Sequence, residues 1–361
     1  MSRVAAAMGR GRWQPVASAA GPVRSGAVAR GRAGRWLCGL LFACCLAMPL
    51  LAQAAEDIEE ILVSGEQPGP GLWKVTQGDH VLWVLGSVTP LPKQLQWRSR
   101  QVERVIAGSQ EVIGEATVRP SLGFFRTVTL LPSLLKLRQN ADGQTLQQIL
   151  PPELYERWER QKLRFMGHDA GVEHWRPMFA AQELYQHALN RSGLSLRSII
   201  WPTVLRLASE HHVQIRKMDS KVQVADPKQM IRDFKSTPRE LDVACLRATV
   251  ERLEQDLDGM KQRAQAWATG DVELLRQGSY VDRDAACIAA ATGAASINQQ
   301  YERVRSRVFE DWVAAAMTAL ANNRSSFSVL PMAEMLQPDG RLERLRRRGY
   351  HIEPPPGAAH P

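Results

Sequence analysis

A catalytic metal would need two or three of the eight histidines to share one face, and their spacing does not provide that. His168 and His174 lie six apart around Gly171, and His211 and His212 are neighbours that point in different directions on a helix. Neither spacing is a ligand set, so these histidines read as polar surface residues. The sequence has no G-x-S-x-G elbow, no Walker loop and no H-E-x-x-H helix. Ten tryptophans are many. Trp73, Trp83 and Trp97 gather around the first strands, where they read as core residues; a sugar-stacking platform is the other use of such a cluster.

Charge is distributed unevenly. Residues 1–54 hold seven arginines, no lysine and no acid, and the first acidic residue is Glu56. The run Trp36–Leu51 (WLCGLLFACCLAMPLL) is uncharged but shorter than the roughly 20 residues a bilayer-spanning helix needs. Ala52-Gln53-Ala54 follows as an A-x-A pattern, so we expect a cleavable signal over 1–54, cut before Ala55. The rivals are a retained anchor and a weak lipoprotein-like motif at Cys44, and translation from Met8 would shorten the leader. The expected location is the periplasm or the exterior, with no stable membrane span after cleavage.

Removing seven arginines from 46 basic residues leaves 39 against 37 acidic ones, a net charge of about +2. That balance argues against a nucleic-acid partner, which requires a concentrated basic face. The late run Arg341, Arg344, Arg346, Arg347 and Arg348 reads as a solvated helix end. Cys38, Cys44 and Cys45 would leave with the leader. Cys245 and Cys287 are then expected to form a disulfide in an oxidising compartment, two separate buried thiols being the alternative.

The elements follow from periodicity. Residues 55–71 form an acidic, then Pro/Gly-rich lead-in. LWKVTQGDHVLWVLGSV (72–88) has a hairpin pattern turning at Gln77-Gly78-Asp79. A helix is expected over 98–107 and a strand over 111–118. Helices are expected near 121–137, 151–166, 177–191 and 200–212, and one long helix over 240–267, where Leu246, Val250, Leu253, Leu257, Met260 and Ala264 recur in steps of three and four. A helix over 296–322, a strand at 326–330, a helix over 339–348 capped by Gly349 and a strand at 350–353 close the domain. The tail 355–361 reads as disordered. Strands at both ends with helices between indicate a mixed α/β (α+β) domain over 72–354, with two small mixed sheets surrounded by helices.

LWKVTQGDHVLWVLGSVTPLP, Trp97-Arg98, EVIGE ending at Glu115, Trp267-Ala268-Thr269-Gly270-Asp271 and SFSVLPMAEMLQPDGRLERLRRRGYHIEP together resemble the TraB/GumN family, which includes Tiki-like metalloproteases. The resemblance runs from Leu72 to Pro354. It implies two G-x-x-H motifs and a glutamate converging on a divalent metal. Here the first motif reads Gly86-Ser87-Val88-Thr89 and the second Pro331-Met332-Ala333-Glu334, so both histidine positions are lost and only Glu115 is retained. Val308-Phe309 occupies the place of an Arg-Asn pair typical of the family.

Two neutral imidazoles hold a transition metal and leave a position for activated water. Thr89 does not replace one, and a Thr/Glu/Glu set suits a hard cation instead. The expectation is therefore a degenerate hydrolase with no cofactor, binding or scaffolding an envelope protein or peptide. The alternative is an active metal-dependent hydrolase or peptidase that recruits other ligands, with a divalent metal as cofactor.

Overall fold

The computed structural model describes residues 69, 71–95, 97, 100–116, 118–121, 132–133, 135–218, 220–223, 226–277 and 283–355. The signal read over 1–54, most of the lead-in, most of the helix read over 121–137 and the tail from 356 lie outside these residues. Packing begins before Leu72, because Gly69 is buried and donates its N–H to the Ala268 carbonyl at 3.1 Å. At the other end Pro355 is buried against Gly71, where any Cβ would come within 2.3 Å of the proline ring.

The strands are β1 (Leu72–Gln77), β2 (His80–Ser87), β3 (Leu91–Pro92), β4 (Glu111–Ile113), β5 (Val118–Ser121), β6 (Leu194–Ser195), β7 (Gln214–Arg216), β8 (Ser220–Gln223), β9 (Ser325–Pro331) and β10 (His351–Glu353). Helices longer than one turn are α1 (Arg100–Ala107), α2 (Pro152–Met166), α3 (Pro177–Arg191), α4 (Ile200–Glu210), α5 (Pro227–Lys235), α6 (Arg239–Gln255), α7 (Leu257–Thr269), α8 (Val272–Gln277), α9 (Arg283–Thr292), α10 (Ala295–Asn322) and α11 (Arg341–Arg347). Six strands form one mixed sheet in the order β10-β1-β2-β9-β4-β7, and β3–β6 and β5–β8 form two-stranded sheets. Both ends of the domain therefore share a sheet.

The β1–β2 hairpin turns at Gly78, whose φ of +61° suits a residue without a side chain. β2, β9, β4 and β7 then run parallel, which requires both faces to be covered. β9 accordingly reads as a continuous buried run, with Phe327, Val329 and Leu330 nearly inaccessible. α10 covers one face through Val308, Trp312, Ala316, Ala319 and Leu320. The Trp312 indole donates to Ser328 Oγ at 3.1 Å, and that hydroxyl donates to the Ile113 carbonyl at 3.2 Å, tying α10, β9 and β4 together inside the core.

Two elements differ from expectation. The helix expected over 240–267 is two helices, α6 and α7, broken at Asp256 (φ −123°, ψ 5°). Its carboxylate accepts two bonds from Arg263, at 2.9 and 2.6 Å, and lies over Gly259, where a Cβ would sit 2.3 Å from Asp256 Oδ1. The apolar stripe survives the break, since Leu246, Val250, Leu253, Leu257, Met260 and Ala264 are all buried. The strand expected over 111–118 is also interrupted: Gly114 leaves the ladder, its N–H on the Arg216 carbonyl at 2.9 Å. Helix α9 was not legible in the sequence, and it carries Cys287 into a disulfide with Cys245 of α6, the Cα atoms 4.5 Å apart.

Candidate functional site

The sheet places the three expected positions at one edge. β2, β9 and β4 are adjacent and parallel, with Gly86 opposite Leu330, Ser87 opposite Pro331, and Ile113 opposite Ser328. Thr89 follows the end of β2, Glu334 follows β9 and Glu115 follows β4. The carboxyl ends of parallel strands are where open α/β sheets hold their ligands.

The glycine of the first motif has a packing role. A Cβ on Gly86 would lie 2.3 Å from Met332 Cε, so the first motif leaves room for the second to fold across it. The Gly86 carbonyl accepts from the indole of fully buried Trp267 at 2.9 Å, and Trp97 meets Trp267 edge-on with centroids 5.4 Å apart. Trp97, with Trp73, is therefore core rather than an open stacking platform. In the same W-x-x-G-D segment, Gly270 ends α7 at φ +81° and Asp271 Oδ1 accepts the Leu274 N–H at 2.9 Å, capping α8.

The side chains at the edge go different ways. Pro331 ends β9 with φ −58° and opens the single turn Met332–Met335. On that turn both carboxylate oxygens of Glu334 accept from Arg341 Nη1. The Arg341 side chain is 8% exposed and that of Glu334 is 23% exposed. The guanidinium lies 5.1 Å from the Phe309 ring and 5.9 Å from that of Trp312. Arg341 is thus buried and paired, a correction to its reading as part of a solvated helix end; Arg344, Arg346, Arg347 and Arg348 do pair with Glu310 or Glu343 at the surface. The sequence shows Phe309 but does not tie it to Arg341, which only the packing does.

Burial raises the Glu334 pKa while Arg341 pulls it back. Burial also raises Glu115, which is half-buried and makes no hydrogen bond or ion pair among the described residues. Thr89 is exposed and joined to Pro90 by a cis peptide bond. His168, His174, His211 and His212 all lie on the surface. Among the described residues no group of three His, Cys, Asp or Glu is placed to hold a metal. An exposed hydroxyl, a half-buried carboxyl and a carboxylate already held by arginine do not fit the imidazole-rich set that a catalytic transition metal requires.

The arrangement is a mixed α/β fold in which the segments Gly86–Thr89 and Pro331–Glu334 and the residue Glu115 follow the ends of adjacent parallel strands. The model of the TraB/PrgY/gumN family matches residues 71–354, most of the chain, and the protein belongs to that family. No curated protein and no solved structure matches it. Among the described residues no helix is long and apolar enough to cross a membrane.

Proposed function

We propose that this chain is an exported TraB/PrgY/gumN-family protein in which the hydrolase site has degenerated, and that it acts in the periplasm as a binding or scaffold protein for an envelope protein or peptide. The observation that carries the proposal is the Glu334–Arg341 pair, packed on Phe309 and Trp312 where a metal ligand would stand. A carboxylate whose two oxygens face one buried guanidinium would have to break that pair before it could ligate. Export is supported by the leader composition and by the Cys245–Cys287 bond, which persists in an oxidising compartment.

A second reading, an active metal-dependent hydrolase with rearranged ligands, has Glu115 in its favour, a carboxyl raised by burial with no charge partner among the described residues. Metal titration separates the two when the wild type is run beside a Thr89→His, Pro331→Gly, Glu334→His variant. Degeneracy requires that the wild type bind no zinc, manganese or cobalt tightly and cleave no peptide with these ions added. Tight stoichiometric binding by the wild type would restore the hydrolase.

A further inference from the structure

Away from the sheet, a pocket of about 420 Å³ opens where α3 and α6 begin, beside the segment 136–141. Four cations line it, Lys136, Arg176, Lys235 and Arg239, against one acid, Asp242. Arg176 is the residue before α3, and Arg239 is the first residue of α6. These helices are 15 and 17 residues long and bring their positive ends to the pocket, although Pro177 has no N–H and the N–H groups of Phe179, Ala180 and Leu241 already donate to the Arg176 and Pro238 carbonyls. Cationic side chains and two positive helix ends make the lining strongly favourable to an anion.

Two buried polar atoms in this lining have no partner among the described residues. Among the described residues the hydroxyl of Thr237, which is 6% exposed, makes no hydrogen bond, and Oδ1 of Asp242, which is 1% exposed, accepts none. The other oxygen of Asp242 accepts from Arg176 Nε at 2.7 Å, and the Arg176 guanidinium donates to the Phe234 carbonyl at 3.3 Å while lying 4.6 Å from the Phe234 ring. Asp242, a residue of the pocket lining, therefore has one oxygen held by Arg176 and the other without a partner among the described residues. Leaving such atoms unsatisfied is costly, so a ligand that completes them is favoured by that difference.

The two vacant partners demand different things. The hydroxyl of Thr237 can donate to an oxyanion, whereas Asp242 Oδ1 needs a donor from the ligand. An ammonium group would bring a fifth cation to a lining that already has four against one carboxylate. A neutral O–H on the anion itself avoids that. Phosphate near neutrality keeps a proton and presents both kinds of group; sulfate keeps none.

We propose that this pocket is a phosphate-binding site, in which Lys136, Lys235, Arg239 and Thr237 hold the oxyanion and Asp242 accepts its P–OH hydrogen. The pocket exceeds the size of the bare ion, so the source is either inorganic phosphate or the phosphate group of a small ester. The site stands independently of the sheet edge and of any loss of hydrolysis there.

Isothermal titration of the folded full-length mature protein at constant ionic strength and about pH 5.5, where most of a phosphate monoester still carries its P–OH proton, tests it with inorganic phosphate, sulfate and glycerol 3-phosphate as probes. Phosphate should bind saturably and about tenfold or more tighter than sulfate, the worth of one hydrogen bond to a charged acceptor. Tighter glycerol 3-phosphate would identify an ester as the ligand, and tighter inorganic phosphate the free ion. Lys235→Ala with Arg239→Ala, both exposed and harmless to the core, should weaken both anions together. Asp242→Asn should abolish the preference over sulfate. Because that variant disturbs the Arg176 pair, Thr237→Val serves as a second probe: it should weaken phosphate several-fold while the protein stays folded. Absence of saturable phosphate binding, equal affinity for sulfate in the wild type, or an unchanged affinity in the Lys235/Arg239 variant would each overturn the proposal.

Discussion

Replacing Arg341 with methionine asks whether the sheet edge is held by an ion pair. The change keeps the stem of the side chain and removes the guanidinium that faces both oxygens of Glu334. A fully buried pair broken from one side costs about 3–5 kcal/mol. Glu334 retains 23% exposure and can be reached by water, which lowers the expected loss to about 2 kcal/mol. Weakened contact with Phe309 and Trp312 adds about 0.5 kcal/mol. The total corresponds to a fall of roughly 5 °C in the melting temperature of a domain this size.

The loss should depend on pH with a definite sign. Burial holds the Glu334 pKa above its unfolded value, and without Arg341 only the weaker attraction of Arg305 offsets that. The native state then binds the proton more tightly than the unfolded chain, so stability falls as pH rises from the ordinary carboxylate range through the raised value. Arg341→Met should thus be mild near pH 4 and fully destabilising at pH 7. Adding Glu334→Met should recover most of the loss, because replacing both partners leaves no uncompensated charge. Urea melts of the four species of this cycle at both pH values provide the measurement. A single-variant loss below about 0.5 kcal/mol at pH 7 would show the pair to be an ordinary surface contact. Glu334 would then be free to ligate, and the reasoning for degeneracy would fail.

Trp267→Phe should cost about 1–3 kcal/mol in urea melts, since it removes the donor to the buried Gly86 carbonyl and part of the packing on Trp97. Glu115→Gln should stabilise the protein at pH 7 and leave it unchanged near pH 4, because a carboxyl raised by burial loses stability as it ionises; an equal effect at both pH values would contradict this. Reducing the Cys245–Cys287 bond, whose partners are 42 residues apart, should cost about 4 kcal/mol, read as a lowered urea midpoint in dithiothreitol.

The sequence carried the frame of this fold because the frame is periodic. The hairpin turning at Gly78, the run that becomes β9 and the stripe from Leu246 to Ala264 all follow from alternation or from steps of three and four. The break at Asp256 did not show, since the apolar phase continues across it and its cause is an acid accepting from an arginine seven residues on. Helix α9 is short and rich in alanine, with little apolar contrast, and β6, β7 and β8 are only two to four residues long.

At the site, the motif positions could be placed because they flank strands, and the parallel register sets them side by side. What occupies Glu334 was not legible, because Arg341 lies in a run of arginines and only the tertiary packing on Phe309 singles it out. Asp242 had a visible signal that spacing alone could have raised. It is an acid on the buried stripe of α6, three and four residues before Cys245 and Leu246, where a carboxylate needs a partner.

The central claim is that the edge where β2, β9 and β4 end holds no transition metal. Elemental analysis of the exported wild-type protein, purified without chelators and followed by calorimetric titration with zinc, manganese and cobalt, tests it most directly. A degenerate site should carry substoichiometric metal as purified and show no tight saturable binding on titration. One equivalent of metal per chain, displaced when Glu115 is replaced by glutamine, would contradict it.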